Sequence, residues 1–286
     1  MVVGATRFAP APTGYLHLGH VANALYVWGL AAATGRRVVL RIEDHDRQRS
    51  RAAFDAALLE DLAWLGFAAD DGPLRQSADW TPYETALGQL RDVAPVYACD
   101  CSRTTFADWA REHGRPWSGS GCPGGCRDRV VAEASGSGLR LALGEGEESW
   151  HDLRLGTHQD APDREGDLLV RDRNGNWTYP FCVVVDDQRQ GIDLVVRGED
   201  LLDATAPQIR LGRLLARDDP PAFYHHPLIR KPSGTKLSKS DGDTGVRDLR
   251  ARGLSAEAVL GEAAAAVGLI ERPRPLALAD LPELYA

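Results

Sequence analysis

The sequence predicts an α/β protein built on a doubly wound parallel β-sheet, with an insertion of different composition between its two halves. Short β-branched runs alternate with apolar segments at helical spacing in both halves. The strands are almost continuously apolar, as expected for a parallel sheet whose two faces are both covered by helices. The insertion holds four of the five cysteines and a glycine-rich stretch.

The first half supplies a loop, a helix, a strand and a second helix. The loop at Thr6–Gly14 is punctuated by proline and glycine, and the apolar segment Val21–Ala33 after it predicts a buried helix. The β-branched run Arg37–Ile42 predicts a strand, and Ala52–Leu65 has apolar residues at helical spacing. The chain therefore begins with a β/α alternation.

The second half resumes this alternation. Strands are predicted at Asp167–Arg171, Val183–Val185 and Leu194–Val196, a helix at Ala206–Ala216, and a last Ala-rich helix at Ser255–Val267. We expect one α/β domain and a short helical tail, with these boundaries: residues 1–245 for the domain, 96–165 for the insertion within it, and 246–286 for the tail.

Composition excludes some classes of function. The 286 residues are 43% hydrophobic and 26% charged, which is typical of a globular protein. The net charge of -8 argues against a DNA-coating protein, so a nucleic acid must meet a local basic face. No apolar run is long enough to span a bilayer, and the N-terminus does not resemble a signal peptide. We expect a cytoplasmic protein with neither membrane nor DNA as a partner.

The cysteines indicate a metal site. Cys99, Cys101, Cys122 and Cys126 form two close pairs separated by a span that can fold back, whereas Cys182 lies alone in an apolar run and is interpreted as a core residue. Four thiolates around one ion suit tetrahedral Zn²⁺ in a closed, structural site. The alternative is a pair of unrelated buried thiols.

Two polar motifs are candidates for phosphate binding. His17 and His20 stand at the start of a helix, where free N–H groups and the helix dipole favour an anion. The alternative for both histidines is an ordinary capping role. Lys231–Ser240 is a polar loop with three lysines that can close over a polyphosphate, and its alternative is a solvated basic loop.

The pair of motifs is much more specific than either alone. His17–His20 and Lys236–Ser240 resemble the HIGH and KMSKS signatures of class I aminoacyl-tRNA synthetases, whose catalytic domain is Rossmann-like. The resemblance narrows to the glutamyl-tRNA synthetase group and covers the chain to about Ser240, through further blocks at Arg7–Pro10, Arg41–Asp46, Val183–Asp187 and Val195–Leu202.

This resemblance implies an amino-acid site for L-glutamate. It assigns the following residues to that site: Arg7, Phe8, Ala9, Pro10, Ala11, Glu43, Tyr179 and Arg197. The set suits glutamate, because two guanidinium groups can bind its two carboxylates and Glu43 can accept from its ammonium group. The alternative for Arg7 and Glu43 is a buried ion pair with each other.

Arg197 bears on substrate choice. Related synthetases that take glutamine lack an arginine at this position, and a guanidinium group needs an anionic partner more than an amide. Two positions depart from the family pattern: Ala11 replaces a usual serine, and Pro180 stands where an amide side chain is usual.

The resemblance also implies ATP with Mg²⁺ as the activating nucleotide. The ATP-binding residues would be His17, Gly19, His20, Lys236, Ser238 and Lys239, with catalytic roles for His17, His20 and Lys239. The shortened members of the group have a similar cysteine cluster, usually with tyrosine at the position of Cys122. Here cysteine completes a four-thiolate set.

The acceptor is inferred from length. Only 46 residues follow Ser240 in the chain of 286, too few for a typical separate domain, so we expect no anticodon-binding domain. The shortened relatives attach glutamate to queuosine in the anticodon of tRNA(Asp). The alternatives are a catalytic fragment that charges the 3′ end of tRNA(Glu), and an inactive synthetase-like binding module.

A local basic face is the remaining expectation for tRNA. Its candidate residues are Arg210, Arg213, Arg217, Arg247, Arg250 and Arg252. A merely solvated face is the equal alternative for these six arginines.

Overall fold

The computed structural model describes residues 3–116, 121–122, 125–229 and 245–285. Its strands are β1 (Ala5–Phe8), β2 (Arg37–Ile42), β3 (Asp71–Arg75), β4 (Val96–Cys99), β5 (Gly138–Leu141), β6 (Glu148–Asp152), β7 (Gly156–Asp160), β8 (Leu168–Arg171), β9 (Leu194–Gly198) and β10 (Ala222–His226).

The helices alternate with these strands over much of the chain. They are α1 (Leu18–Thr34), α2 (Ala52–Leu65), α3 (Thr81–Val93), α4 (Arg103–His113), α5 (Cys126–Arg129), α6 (Tyr179–Arg189), α7 (Thr205–Leu214), α8 (Val246–Ala251) and α9 (Ala256–Ala266). Short 3₁₀ segments lie at Gln76–Ala78, Glu199–Ala204 and Leu278–Tyr285. No helix of the described ranges is long and apolar enough to cross a membrane.

The main sheet is mostly parallel and confirms the predicted fold class. Strand β1 pairs with β2 and β2 with β3, all parallel. On its other side β1 meets the chain just before β9 through a parallel bridge between Ala5 and Ile192, and β9 continues to β10 and β6 in parallel. Strand β7 closes this edge antiparallel to β6. The order reverses direction between β1 and β9, where doubly wound sheets bind their ligands.

Strand alternation places the polar residues. Val38, Leu40 and Ile42 of β2 pack in the core under α1, α2 and α9, whereas Val39 and Val195 point to the opposite face. On that opposite face, the next-to-last residue of each of four parallel strands is polar and buried: Arg7 of β1, Arg41 of β2, Arg197 of β9 and His225 of β10. The carboxyl edge of the sheet therefore carries a row of buried cationic or imidazole side chains beside α6 and α7.

One predicted strand is wrong. Val183–Val185 lies inside helix α6, and all three valines are buried in a cluster with apolar residues of α3, α7, β5 and β8. A helix that is covered all round has no apolar stripe, so its short valine run reads like a buried strand. Tyr179 and Pro180 at the first turn are the helix signal that this reading missed.

A second sheet lies beside the main one. It is antiparallel and has the order β4, β5, β8. The strand predicted at Asp167–Arg171 is therefore present as β8, but it does not belong to the parallel sheet as expected. The boundaries of the insertion at 96–165 stay a prediction, since β6 and β7 within them pair with the main sheet.

Most arginines predicted for a basic face have structural partners. Arg210 and Arg213 of α7 both bind the buried carboxylate of Glu148, with Nε–Oε distances of 2.6 and 2.9 Å. Arg217 donates to the carbonyl of Ile192 at 2.5 Å. Arg247 and Arg250 of α8 pair with Glu60 of α2. These contacts give the five arginines structural partners, and Arg213, Arg247 and Arg250 stay partly exposed, so their part in a basic face for tRNA stays a prediction.

Candidate active site

The two histidines of the first motif cap helix α1. His17 is the N-cap residue, and its Nδ1 accepts from the N–H of Gly19 at 3.1 Å. The Nδ1 of His20 accepts from the N–H of His17 at 3.2 Å, which makes a reciprocal capping box. The capping alternative is thus correct in geometry, and it has a chemical consequence. Because Nδ1 accepts in both rings, each neutral imidazole carries its proton on Nε2 as a donor.

Gly19 is required by the position of the His17 ring. A Cβ atom at residue 19 would stand 2.9 Å from Cε1 and 3.0 Å from Nδ1 of His17. Such contacts are too short, so a larger residue would push the ring off its capping position. The glycine therefore permits the histidine cap.

The segment that follows the second motif contacts the start of α1. Gly245 forms an antiparallel bridge with His17, and the N–H of Val246 donates to the carbonyl of Leu16 at 2.9 Å. The predicted ATP ligands Lys236, Ser238 and Lys239 lie outside the described residues. The chain that follows them is anchored against the start of α1.

A buried ion cluster joins β1, β2 and α6. Nε of Arg7 lies 3.1 Å from Oδ1 of Asp187, and Nη2 of Arg41 lies 2.8 Å from the same oxygen. Burial alone would raise the pKa of Asp187, but the charges of Arg7 and Arg41 hold it below its usual value. Arg7 also donates from Nη1 to the carbonyl of Val196 at 3.1 Å, which ties β1 to β9.

Glu43 stands at the end of this cluster with an unused acceptor. Its Oε1 is buried, lies 3.5 Å from Nη2 of Arg41, and has no hydrogen-bond partner within the part of the chain that the structure describes. Burial raises the pKa of Glu43, and the neighbouring Arg41 opposes that shift. The Arg7–Glu43 ion pair considered from the sequence is wrong, because Arg7 pairs with Asp187 instead.

Arg197 is held by neutral side chains. Its Nε donates to Nε2 of His225 at 2.9 Å, Nη1 to Oε1 of Gln208 at 2.5 Å, and Nη2 to Oγ1 of Thr205 at 2.8 Å. Across the described ranges no carboxylate lies within 4.0 Å of it, and burial lowers its pKa. A buried guanidinium without a carboxylate partner is expensive, and an anionic ligand would relieve that cost.

The other predicted amino-acid ligands divide into two groups. Tyr179 is the first residue of α6, and burial raises the pKa of its hydroxyl while Arg197 opposes the shift. Ala9 and Ala11 are half-buried, and the carbonyl of Pro10 accepts from the N–H of Glu43 at 3.0 Å. Phe8 packs its ring 5.4 Å from that of Trp28 in the core. Its side chain thus supports the strand.

The four cysteines of the insertion come together. The Sγ atoms of Cys101 lie 3.3 Å from Cys122 and 3.5 Å from Cys126, and Cys99 lies 3.7 Å from Cys122. All four sulfur atoms lie within 4.8 Å of one another. A tetrahedral site with metal–sulfur bonds of about 2.3 Å has sulfur–sulfur edges of about 3.8 Å, so the set fits one metal ion. Cys182 is buried in the core, as expected.

The sequence interpretation missed the residues that orient the predicted ones. Arg41 and Asp187 stand inside the motif blocks but received no role, and Gln208, Thr205, His225 and Asp152 were not singled out. A usable signal exists for two of them: a polar residue just before the end of an apolar strand faces the carboxyl edge. Arg41 and His225 satisfy it.

Comparisons with known proteins agree with this geometry. The model of the family described as "tRNA synthetases class I (E and Q), catalytic domain" matches residues 3–262. A relative from Symbiobacterium thermophilum named glutamyl-Q tRNA(Asp) synthetase is 40% identical, covering 94% of this chain and 88% of the relative. A relative of the same name from Rhodobacter capsulatus is 39% identical, covering 87% of this chain and 96% of the relative.

A solved structure gives the same result. The glutamate-tRNA synthetase from Elizabethkingia anophelis superposes with a TM-score of 0.79 at 27% identity, covering 92% of this chain. The chain spans 61% of that longer protein. The fold and the paired motifs define the class I aminoacyl-tRNA synthetase catalytic domain. The chain belongs to the glutamyl and glutaminyl family of class I tRNA synthetases.

The histidine cap gives a prediction about stability. Gly19→Ala should fail to stabilise the protein, because the new Cβ displaces His17. Gly88→Ala is the matched control: Gly88 is an exposed residue of α3 with open space around its Cβ position, and the change should raise the free energy of unfolding by about 0.5–1 kcal/mol. Chemical denaturation measures both. Equal stabilisation by the two changes would contradict the cap.

Proposed function

We propose that this protein activates L-glutamate with ATP and transfers it to queuosine in the anticodon of tRNA(Asp). The observation that carries the first half is Arg197, a buried cation whose described partners are all neutral. In a family that divides between glutamate and glutamine, such a cation favours the substrate with a side-chain carboxylate. The second half is supported by two relatives at 39–40% identity that carry the name glutamyl-Q tRNA(Asp) synthetase.

The amino-acid pocket spans the β1–β9 junction. Oε1 of Glu43, which accepts no hydrogen bond from the described residues, would accept one from the ammonium group of glutamate, and the guanidinium group of Arg197 would bind the side-chain carboxylate. The charge of Arg7 is already compensated by Asp187. Its remaining N–H groups would therefore orient the substrate by hydrogen bonds more than attract it by charge. Tyr179 supplies a hydroxyl, and Ala9, Pro10 and Ala11 supply backbone groups and a close wall.

The phosphate end lies at the start of α1. The Nε2–H groups of His17 and His20 would donate to the phosphates of ATP beside the N-terminal N–H groups of the helix. Gly19 keeps that approach open. Lys236, Ser238 and Lys239 would complete the site, since the chain that follows them is anchored at His17. Magnesium accompanies ATP as the counterion of its phosphates.

The first chemical step needs no general base. The α-carboxylate of glutamate is an anion at neutral pH, and its oxygen attacks the α-phosphorus of ATP. The bond between the α-phosphorus and the α–β bridging oxygen breaks. Pyrophosphate is released, and glutamyl-adenylate remains in the site. Catalysis then consists of positioning and of stabilising charge on the phosphates, which His17, His20 and Lys239 would supply.

In the second step a hydroxyl attacks the activated carbonyl carbon and AMP leaves. The cyclopentene diol of queuosine offers vicinal hydroxyls, as the terminal ribose of a tRNA does. A comparable nucleophile is therefore available in the anticodon, and positioning selects between the two acceptors. Charging of tRNA(Glu) at its 3′ end is the competing outcome of the acceptor experiment below.

The cysteine cluster would hold one structural zinc ion. Cys99, Cys101, Cys122 and Cys126 supply four sulfur ligands, which leaves no open position for catalysis. The ion would fix the end of β4 to the start of α5. The reaction itself does not pass through it.

We expect about one zinc per chain in protein purified without chelator. Cys126→Ala should release the metal, because three thiolates hold zinc more weakly than four. Cys182→Ala is the matched control and should retain it, since Cys182 lies in the core away from the cluster. Elemental analysis of the purified variants measures the content. Wild-type protein without zinc would contradict the assignment.

Glutamate should support ATP–pyrophosphate exchange and glutamine should not. Arg197→Ala should lower kcat/KM for glutamate by an amount equivalent to about 2–5 kcal/mol, because it removes the cation that binds the side-chain carboxylate. Arg252→Ala, an exposed arginine after α8, serves as the control and should leave exchange unchanged. Glutamine that supports exchange as well as glutamate would refute the role of Arg197.

The acceptor is tested with tRNA(Asp) that carries queuosine. Labelled glutamate should be attached to this tRNA even after removal of its 3′ adenosine, and should not be attached when guanine replaces queuosine. The reason is that the anticodon, and not the acceptor end, would enter the site. Labelling of tRNA(Glu) that disappears with its 3′ adenosine would establish the competing function.

A further inference from the structure

A chain of three buried side chains runs behind the amino-acid pocket. Nε of Arg197 donates to Nε2 of His225 at 2.9 Å, and Nδ1 of His225 lies 2.7 Å from Oδ2 of Asp152. Asp152 and His225 are fully buried, and Arg197 is 3% exposed. The arrangement follows from strand register, because His225 of β10 is the direct neighbour of Arg197 of β9.

The chain fixes the tautomer of the histidine. A guanidinium group can only donate, so Nε2 of His225 must accept from Arg197 and carries no proton. The proton of the neutral ring is then on Nδ1 and is donated to Asp152. Burial lowers the pKa of His225, and Arg197 and His158 add to this effect while Asp152 opposes it. The imidazole is therefore neutral at neutral pH.

Asp152 is an acceptor at both of its oxygens. Oδ1 accepts from the N–H groups of Arg154 and Leu155 at 2.9 and 2.8 Å. Oδ2 accepts from the N–H and from Nδ1 of His225 at 3.0 and 2.7 Å. An asparagine has one accepting oxygen, so either orientation of its amide deprives two donors of a partner. If the NH₂ group faces His225, the ring proton is displaced to Nε2, where it opposes Arg197.

The two arginines of the pocket thus differ in the charge of their partners. Arg7 shares the carboxylate of Asp187 with Arg41, and much of its charge is compensated there. Arg197 is oriented by an imidazole, an amide and a hydroxyl, none of which carries charge. The carboxylate of Asp152 binds the other ring nitrogen of His225 and does not contact Arg197. Arg197 is thereby fixed in direction without losing its positive charge.

We propose that Asp152 and His225 are positioning residues that orient the guanidinium group of Arg197 and keep its charge available to the side-chain carboxylate of the amino-acid substrate. This proposal rests on glutamate activation as the proposed function. In this proposal neither residue contacts the substrate directly. Their effect should therefore appear in the recognition of glutamate and leave the recognition of ATP unchanged.

The test compares two isosteric changes on strand β6. Asp152→Asn should raise the KM for glutamate by about ten-fold or more in ATP–pyrophosphate exchange, with the KM for ATP unchanged. Glu148→Gln is the matched control, because Glu148 is a buried carboxylate of the same strand that binds Arg210 and Arg213 instead. It should lower thermal stability as Asp152→Asn does and leave the KM for glutamate unchanged.

A second measurement uses the wild-type protein and does not depend on the folding of any variant. The ¹⁵N chemical shifts of the His225 ring should show a protonated Nδ1 and an unprotonated Nε2 at pH 7. A proton on Nε2, or an unchanged glutamate KM in Asp152→Asn, would overturn the positioning role while leaving glutamate activation intact. Wild-type protein without glutamate-dependent exchange would count against the proposed function instead.

Discussion

The carboxyl edge of the sheet depends on the ion pairs that the carboxylate of Asp187 makes with two arginines. Two arginines from neighbouring strands, Arg7 and Arg41, converge on it in a site with almost no access to water. Each cation alone would be costly to bury, and a shared carboxylate from α6 compensates both. Two arginines and one carboxylate leave a net charge of about +1. Glu43 offsets part of this charge through its 3.5 Å contact with Arg41. Because β1, β2 and α6 all contribute, the ion cluster also sets where α6 crosses the sheet.

Arg197, on the same face of the sheet, is bound by neutral side chains instead of a carboxylate. Its neutral partners give it direction, and the ring of His225 lies between its guanidinium group and the carboxylate of Asp152. The site thus contains one compensated arginine and one available arginine a strand apart. A ligand with two carboxylates and one ammonium group matches this pattern, since Glu43 offers the remaining acceptor. Under the proposed function, selection for glutamate would follow from which arginine is paired, more than from how many arginines there are.

Sequence reasoning reached the fold class, the paired motifs and the cysteine cluster because each depends on local pattern. Strand β2 and helix α2 were predicted with the bounds that the structure gives, since β-branching and helical spacing are local signals. Val183–Val185 was assigned to a strand because a helix buried on all sides loses its amphipathic stripe. Asp152, His225 and Gln208 were missed for a different reason. Their contacts join residues that are 11 to 73 positions apart, and no spacing in the sequence announces them.

A hydrogen bond connects the loop of the cysteine cluster with the turn before α6. Arg173, in the turn between β8 and α6, donates to the carbonyl of Cys101 at 2.9 Å. The same turn leads within a few residues to Tyr179, the first residue of α6, and α6 carries Asp187 at its other end. A structural ion that fixes the Cys101 loop would therefore also fix the turn that positions α6 against the sheet. With zinc bound as proposed, the cysteine cluster would support the proposed pocket without lining it, because it would help to hold the helix that supplies the shared carboxylate.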